Sequence, residues 1–211
     1  MSIHRTAYLM LLVFLVFIII AVISGMSFPG DAAFNNWING IQCGFLDSAM
    51  PLVSYLGAFP CCIIASLIIG LICWLLRKRI AALFIAGVPY IGVVISYLLK
   101  FLIDRPRPLE DGLANSFPSG HTIYTSILMG SIIYFLPQMV KNKAWCTVLQ
   151  IIAGLVIAIM IFSRLYLQQH WLSDVLSSLI IGILVIVPAI IVYKYLLKRD
   201  SKCLNCLKSK P

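Results

Sequence analysis

Three short clusters of polar residues, set in a chain that is 62% hydrophobic, carry the side chains that could do chemistry. They are Lys100 to Pro108, Pro118 to His121, and Ser163 to Asp174. Polar groups are costly near lipid, so polar clusters in an apolar chain indicate a functional site.

Three cations in these clusters suit a phosphate group. Lys100, Arg107 and Arg164 have few carboxylates near them in the sequence, and the planar fork of arginine can bond two phosphate oxygens at once. Ser119 and Gly120 follow a proline and open a predicted helix, whose free backbone N–H groups and dipole favour an anion. The sequence therefore predicts a phosphate cradle.

Two of the three histidines lie in the clusters. His170 and Asp174 are four residues apart, so a helix that begins near His170 would carry both side chains on one face. A carboxylate bonded to one imidazole nitrogen fixes the tautomer and leaves the other nitrogen free to attack, which suits a histidine nucleophile. His121 then remains as a proton donor for the leaving oxygen.

Each of these positions also has an ordinary structural explanation. A single histidine at a membrane interface is often a polar cap, and a His–Asp pair at this spacing often only supports a helix. The cations and the helix-start Ser-Gly beside the histidines together favour catalysis. The same cations oppose zinc, although two histidines and one aspartate could ligate it. We therefore expect neither a metal nor another cofactor.

The elements that must position the clusters are predicted to be membrane helices. The mean hydropathy is +1.03, and the hydrophobic runs are each about long enough to cross a hydrocarbon core of roughly 30 Å. Gly57 and Pro60 interrupt the second run, and the first is longer than the apolar part of a usual signal peptide, so we expect it to be retained. The six predicted spans are 7–23, 50–76, 80–103, 121–140, 144–166 and 171–197.

Basic residues predict the orientation of these spans. With a cytoplasmic N-terminus, the inner side carries 12 of the 16 bases and one acid, and the outer side carries four bases and six acids. The net charge of +9 thus divides into +11 inside and −2 outside, which membrane orientation explains without a nucleic-acid partner. The four outer cations all lie in the clusters, which favours an anion site on that face; they are Lys100, Arg105, Arg107 and Arg164.

The segment between the first two spans has apolar residues at helical spacing: Phe34, Trp37, Ile38, Ile41 and Phe45. This pattern predicts a short helix. The helix would lie either on the outer membrane interface or against the top of the bundle, and the sequence favours neither alternative.

No internal repeat or long linker divides the chain. We therefore expect a single membrane domain over residues 1–211, with a motif core at 100–174 and a cytosolic tail at 198–211. Cys203 and Cys206 in that tail form a single CxxC pair, which is only a weak indication of metal binding or redox activity.

The three clusters resemble the sequence blocks of the type-2 phosphatidic acid phosphatase superfamily, which also includes soluble vanadium haloperoxidases. Lys100 to Pro108 matches the first block, a lysine followed by six residues and Arg-Pro. Pro118 to His121 matches the PSGH block, and Ser163 to Asp174 matches Ser-Arg, five residues, His, three residues and Asp. Every defining position is present in order. The resemblance covers residues 100–174, and six spans fit the membrane branch.

This resemblance implies a role for each residue. His170 would attack phosphorus and form a phosphohistidine, Asp174 would orient it, and His121 would protonate the leaving group. Water would then hydrolyse the intermediate, with no metal because cations stabilise the developing charge. The residues that would hold the phosphoryl oxygens are Lys100, Arg107, Ser119, Gly120 and Arg164.

We therefore expect an all-α integral membrane bundle of six transmembrane helices, with a short interfacial helix between the first and second spans. The resemblance implies a metal-independent lipid phosphatase, whose partners are the bilayer and a membrane lipid phosphate. The site would face the periplasmic or extracellular side of the inner membrane, with both termini cytoplasmic.

Family resemblance points to undecaprenyl pyrophosphate, phosphatidylglycerol phosphate or phosphatidic acid as the substrate. A lipid A phosphatase is the nearest alternative. A protein that binds or flips lipid phosphates without turnover is the alternative from another class. The intact His121, His170 and Asp174 argue against it, because binding alone needs only the cations.

Overall fold

The computed structural model describes residues 3–26, 28–109 and 115–208, with side chains from residue 5 to 198 except at residue 29. Glu110 and Asp111, and the side chains of Cys203 and Cys206, lie outside this set. Eight helices account for the regular structure of the described residues. They are α1 Ile3–Ile23, α2 Pro29–Gly40, α3 Gly44–Leu56, α4 Phe59–Leu75, α5 Arg79–Leu102, α6 Gly120–Met139, α7 Lys143–Tyr166 and α8 Leu172–Lys208.

The all-α prediction is confirmed, whereas the predicted total of six spans is not. Four helices in the described part of the chain, α1, α5, α7 and α8, are long and apolar enough to cross a membrane. A fifth span results if the bent pair of α3 and α4 counts as one. α6 covers the predicted span 121–140 but does not join this set.

The lower apolar character of α6 follows from its position inside the bundle. It packs against α4, α5, α7 and α8. Two of its serine side chains bond within the helix: the Ser126 hydroxyl donates to the carbonyl of Ile123 at 2.9 Å, and the Ser131 hydroxyl donates to that of Ile127 at 2.6 Å. A helix surrounded by protein needs no continuous lipid-facing apolar surface. Its buried serine and threonine residues are Thr122, Thr125, Ser126 and Ser131.

The interruption predicted within span 50–76 is a break between two helices. α3 and α4 meet at an angle of 56° across residues 57–58, and Pro60 lies in the first turn of α4, where its missing N–H is tolerated. Gly57 lets this break pack closely on α7, because an added Cβ would lie 2.0 Å from Cε of Met160. The broken span therefore depends on a residue without a side chain at the contact.

α2 forms the short helix predicted between the first two spans. It packs against α7 and α8, with Ile38 fully buried and Trp37 52% exposed. These contacts match the alternative in which the helix lies against the bundle. Its placement on the membrane interface stays a prediction.

α5 and α6 approach each other closely at Gly92. An added Cβ at this position would lie 2.4 Å from Cδ1 of Ile127 and 2.8 Å from Cγ2 of Ile123. Both isoleucines are fully buried. They belong to the helix that carries His121, so this contact sets the distance between α5 and the start of the site.

We expect Gly92→Ala to destabilise the protein by about 1–3 kcal/mol, because overpacking forces buried side chains or backbone to shift. The gain in helix propensity from glycine to alanine, about 1 kcal/mol, offsets only part of this cost. Gly87→Ala on the same helix is the matched control, since nothing lies within 4 Å of its added Cβ. Thermal unfolding in detergent measures both variants, and equal Tm values would contradict the prediction.

Candidate active site

The three polar clusters meet at one end of the bundle. Lys100 lies in the last turn of α5 and Arg164 in the last turn of α7. Ser119 is the residue before α6, His121 is the second residue of that helix, and Asp174 lies in the first turn of α8. Two helices therefore end where two others begin, which joins clusters that are far apart in sequence.

The charged side chains of the three clusters lie near enough to act on one another electrostatically. His121 feels the charges of Arg164, His170, Lys100 and Arg107. Lys100 likewise feels the charge of Asp174. The structure thus brings the predicted cations, both histidines and the aspartate into a single site, and Ser119 and Gly120 directly precede His121.

The predicted pair of His170 and Asp174 is present. Both side chains are buried, and Nδ1 of His170 is 3.7 Å from Oδ2 of Asp174. This is within ion-pair range and longer than a hydrogen bond. The same Asp174 oxygen accepts a hydrogen bond of 3.0 Å from the backbone N–H of Trp171, as the third residue of a helix does in a capping box.

Burial lowers the pKa of His170 from 6.5 to about 4. The neighbouring Asp174 carboxylate raises this pKa and the Arg164 cation lowers it further, but the loss of solvation is the largest effect. The imidazole is therefore neutral at pH 7, as a nitrogen nucleophile must be.

Two cations of the site lack a carboxylate at ion-pair distance among the described residues, namely Lys100 and Arg164. Arg164 is 6% exposed, and its Nη1 donates to the Ser54 hydroxyl on α3. Its Nε has no hydrogen-bond partner among the described residues. Lys100 Nζ donates to the backbone carbonyl of Asn115 at 2.5 Å. Buried positive charge without a counter-ion is unfavourable, so this site favours an anion.

The loop that carries Arg107 is held against the segment that carries His170. Nη1 of Arg107 donates to the side-chain oxygen of Gln169. The indole N–H of Trp171 donates to the carbonyl of Pro106 at 2.9 Å. Sequence reasoning missed Gln169 and Trp171, because only the folded loop reveals their partners.

Ser119 and Gly120 begin α6 as predicted, with one difference. The backbone N–H of Ser119 donates to the Ser178 hydroxyl on α8 at 2.8 Å. One of the two N–H groups expected to bind an anion therefore has a partner within the protein. At Gly120 an added Cβ would lie 3.0 Å from the hydroxyl oxygen of Tyr124, so a larger residue would disturb the helix start.

Arg105 departs from the expectation that all four outer cations serve one anion site. Its guanidinium forms ion pairs with Asp31 on α2 and with Asp174. Its charge is thus neutralised within the protein. The Arg-Pro-Arg-Pro run draws attention to Arg105 in the sequence. Its partner Asp31 is 74 residues away, and no local sequence pattern around Asp31 predicts this pairing.

Comparison with known proteins identifies a family and two relatives of this chain. The PAP2 superfamily model matches residues 77–198. Phosphatidylglycerophosphatase B of Bacillus subtilis (strain 168) is 30% identical over 156 residues, covering 70% of this chain and 71% of that protein. Undecaprenyl-diphosphatase BcrC of the same strain is 30% identical over 139 residues, covering 58% of this chain and 65% of that protein.

Two solved structures share the fold. The transmembrane PAP2-type phosphatidylglycerolphosphate phosphatase from Bacillus subtilis superposes with a TM-score of 0.76 at 26% identity, covering 86% of this chain and 93% of that chain. LpxE from Aquifex aeolicus gives 0.61 at 22% identity, covering 80% and 98%, and shows the fold alone. The chain therefore belongs to the PAP2 superfamily, the type-2 phosphatidic acid phosphatases, and is a multi-pass membrane phosphatase.

Proposed function

We propose that this phosphatase hydrolyses a phosphomonoester or pyrophosphate of a membrane lipid through a phosphohistidine on His170. The observation that carries the proposal is a buried, neutral imidazole beside two cations without carboxylate partners among the described residues. The candidate substrates are undecaprenyl pyrophosphate, phosphatidylglycerol phosphate and phosphatidic acid. The names of two relatives, a phosphatidylglycerophosphatase and an undecaprenyl-diphosphatase, support this set.

The first step is attack by Nε2 of His170 on phosphorus, while Nδ1 keeps its proton and faces Asp174. The N–P bond forms as the P–O bond to the lipid breaks, and the electron pair leaves on that oxygen. His121 gives that oxygen a proton, which it carries because the phosphate anion bound beside it stabilises the protonated imidazole. The imidazole becomes positively charged as it is phosphorylated, and the buried Asp174 carboxylate stabilises that charge.

The second step is hydrolysis of the phosphohistidine. His121, now neutral, accepts a proton from the attacking water, whose oxygen forms the new bond to phosphorus. The N–P bond breaks, its electron pair returns to His170, and inorganic phosphate leaves. The groups that hold the phosphoryl oxygens throughout, in place of a metal, are Lys100, Arg107, Ser119, Gly120 and Arg164. Ser119 does so through its hydroxyl, because its backbone N–H is bonded to Ser178.

An apolar groove beside the site suits the hydrocarbon chain of a lipid. A cavity of about 230 Å³ is lined by α3, α4, α6 and α7. Its wall includes Thr125, one turn beyond His121, and Met160, one turn before Arg164. A lipid whose chain lies in this groove can present its phosphate to the histidines without leaving the bilayer.

The orientation of the chain is part of the same proposal. Six helices cross the inner membrane, both termini are cytoplasmic, and the site opens on the periplasmic or extracellular side. Residues 1–211 form one domain with a cytosolic tail at 198–211. The excess of basic residues in the segments assigned to the inner side supports this orientation.

We expect His170→Ala to abolish phosphate release, because it removes the nitrogen that forms the proposed covalent intermediate. His121→Gln should slow release by about 10²- to 10⁴-fold through loss of the proton donor. His4→Ala is the matched histidine control and should keep wild-type activity. Full-length protein in detergent is assayed in the presence of EDTA on the three candidate lipids and a lipid A phosphate.

Each contrary outcome identifies the part of the proposal that fails. Phosphate release by His170→Ala would contradict the assignment of His170 as the nucleophile. Loss of wild-type activity in EDTA would contradict the proposal that the enzyme needs no metal. A preference for the lipid A phosphate would favour the alternative substrate. Binding of the lipids by the wild type without release would favour a binding or flipping protein.

The pH dependence of kcat/KM tests the state of His170. Its lowered pKa, about 4, means that the neutral nucleophile is present above that pH and is lost as the pH falls through it. The acid limb of the profile should therefore have its midpoint near 4. Phosphomonoester substrates titrate near pH 6, so ³¹P NMR of the same micelles corrects for their ionisation. A midpoint at 6.5 that remains after this correction would mean that the pKa of His170 is not lowered, and would contradict the prediction.

Cysteine labelling tests the side on which the site opens. Cys43 is exposed, and its backbone N–H donates to the hydroxyl of Tyr166 at the site end of α7. In intact cells an impermeant maleimide should label a single-cysteine variant that retains Cys43. The matched variant that retains Cys203 should be labelled only after permeabilisation. The reverse pattern would place the site on the cytoplasmic side.

A further inference from the structure

Arg105 lies at the centre of a buried network that includes Asp174, the carboxylate beside the proposed nucleophile. Its Nη1 donates to Oδ1 of Asp174 and, at 2.8 Å, to the Ser173 hydroxyl, while Nη2 donates to Oδ2 of Asp31 at 2.7 Å. The side chains of Arg105, Asp31 and Asp174 are 12%, 6% and 0% exposed. One guanidinium thus bridges two buried carboxylates, one from α2 and one from α8.

Asp31 anchors this network to the start of α8. Its Oδ1 accepts a hydrogen bond of 2.8 Å from the backbone N–H of Ser173, and its Oδ2 accepts one of 2.7 Å from the Ser173 hydroxyl. Backbone N–H groups in the first turn of a helix have no partner within the helix, so Asp31 acts as a cap supplied by another element. The same carboxylate therefore fixes both Arg105 and the helix turn that carries Asp174.

The two oxygens of Asp174 have separate partners. Oδ1 is bonded by Arg105, whereas Oδ2 accepts from the Trp171 backbone and faces Nδ1 of His170 at 3.7 Å. A carboxylate bonded on one oxygen cannot rotate freely, so Arg105 directs the other oxygen toward the imidazole. Catalytic hydrogen bonds are often long in the resting enzyme and shorten when substrate binds.

We propose that Arg105 is a positioning residue of the phosphatase and not a ligand of the phosphate. It keeps Asp174 ionised and directed at Nδ1 of His170, and Asp31 holds it in place. The inference rests on the proposed role of His170 as the nucleophile. Lysine cannot substitute fully, because an ammonium group is a point charge without the planar fork that bonds two carboxylates at fixed angles.

Steady-state kinetics separate positioning from phosphate binding. We expect Arg105→Ala to lower kcat by about 100-fold with KM unchanged, since displacement of a catalytic group by about 1 Å costs this much. Arg105→Lys and Asp31→Asn should each lower kcat by a smaller factor. Arg79→Lys is the matched control: Arg79 is exposed, stacks on Trp74 at the other end of the bundle, and should leave activity unchanged.

Chemical rescue provides a readout that a purely structural role would not give. A cavity of about 340 Å³ opens beside Arg105, with Asp31 and Trp171 in its wall, and gives a small cation access to the position of the guanidinium. Added guanidinium ion should therefore restore much of the kcat of Arg105→Ala, whereas the same concentration of sodium ion should not. Tm values of all variants report whether the fold is retained.

NMR of the His170 tautomer tests the same inference without measuring turnover. The chain has three histidines, so ¹⁵N-histidine NMR of the full protein in detergent can resolve His170, with His170→Ala to assign its signals. We expect the Nδ1–H tautomer in the wild type and a mixture of tautomers in Arg105→Ala and Asp31→Asn.

The outcomes distinguish this inference from the proposed function. No phosphate release by the wild type would refute the proposed function, while the NMR arm would still decide the role of Arg105. A raised KM with unchanged kcat would make Arg105 a phosphate ligand. Unchanged kcat per folded molecule, no rescue by guanidinium, or an unchanged His170 tautomer would overturn the inference. If Arg105→Ala does not fold, the kcat and tautomer of Arg105→Lys and Asp31→Asn decide.

Discussion

The buried carboxylate of Asp174 is the group on which the arrangement of this site depends. Ionised and alone at such a position, it would cost several kcal/mol in lost hydration. It is stable there because Arg105, the Trp171 backbone and the nearby His170 surround it. Each of these partners is fixed in turn by α2, by the start of α8 or by the loop before α6. The position of His170 is therefore a consequence of how several distant segments meet around one charge.

The charged groups around this histidine form two sets. One set is the carboxylates Asp31 and Asp174 with Arg105 between them. The other set is the cations without carboxylate partners among the described residues, Lys100 and Arg164. The imidazole is neutral because burial outweighs the attraction of its aspartate. A phosphate bound by the second set of cations would meet an uncharged nucleophile in the same site.

Close helix packing brings these two sets of charges together. Glycines at the contacts allow α5 to approach α6 and the break between α3 and α4 to approach α7. α6 can carry buried hydroxyls because it is surrounded by protein, and its start is tied to α8 through Ser119 and Ser178. The helices long enough to span a membrane expose large apolar side chains, while buried hydroxyl side chains lie along α6, whose first turn reaches the site.

The sequence by itself determined the membrane class, the all-α fold and the residues that gather at the site, because hydropathy, helix starts and the spacing of His170 and Asp174 are local properties. It also predicted the break at Gly57 and Pro60. Only the tertiary structure decided that α2 packs on the bundle, that α6 lies inside it, and that Arg105 pairs with carboxylates. These features depend on contacts between residues far apart in the chain, such as Asp31 and Arg105, and no local pattern encodes which distant partner a buried charge will meet.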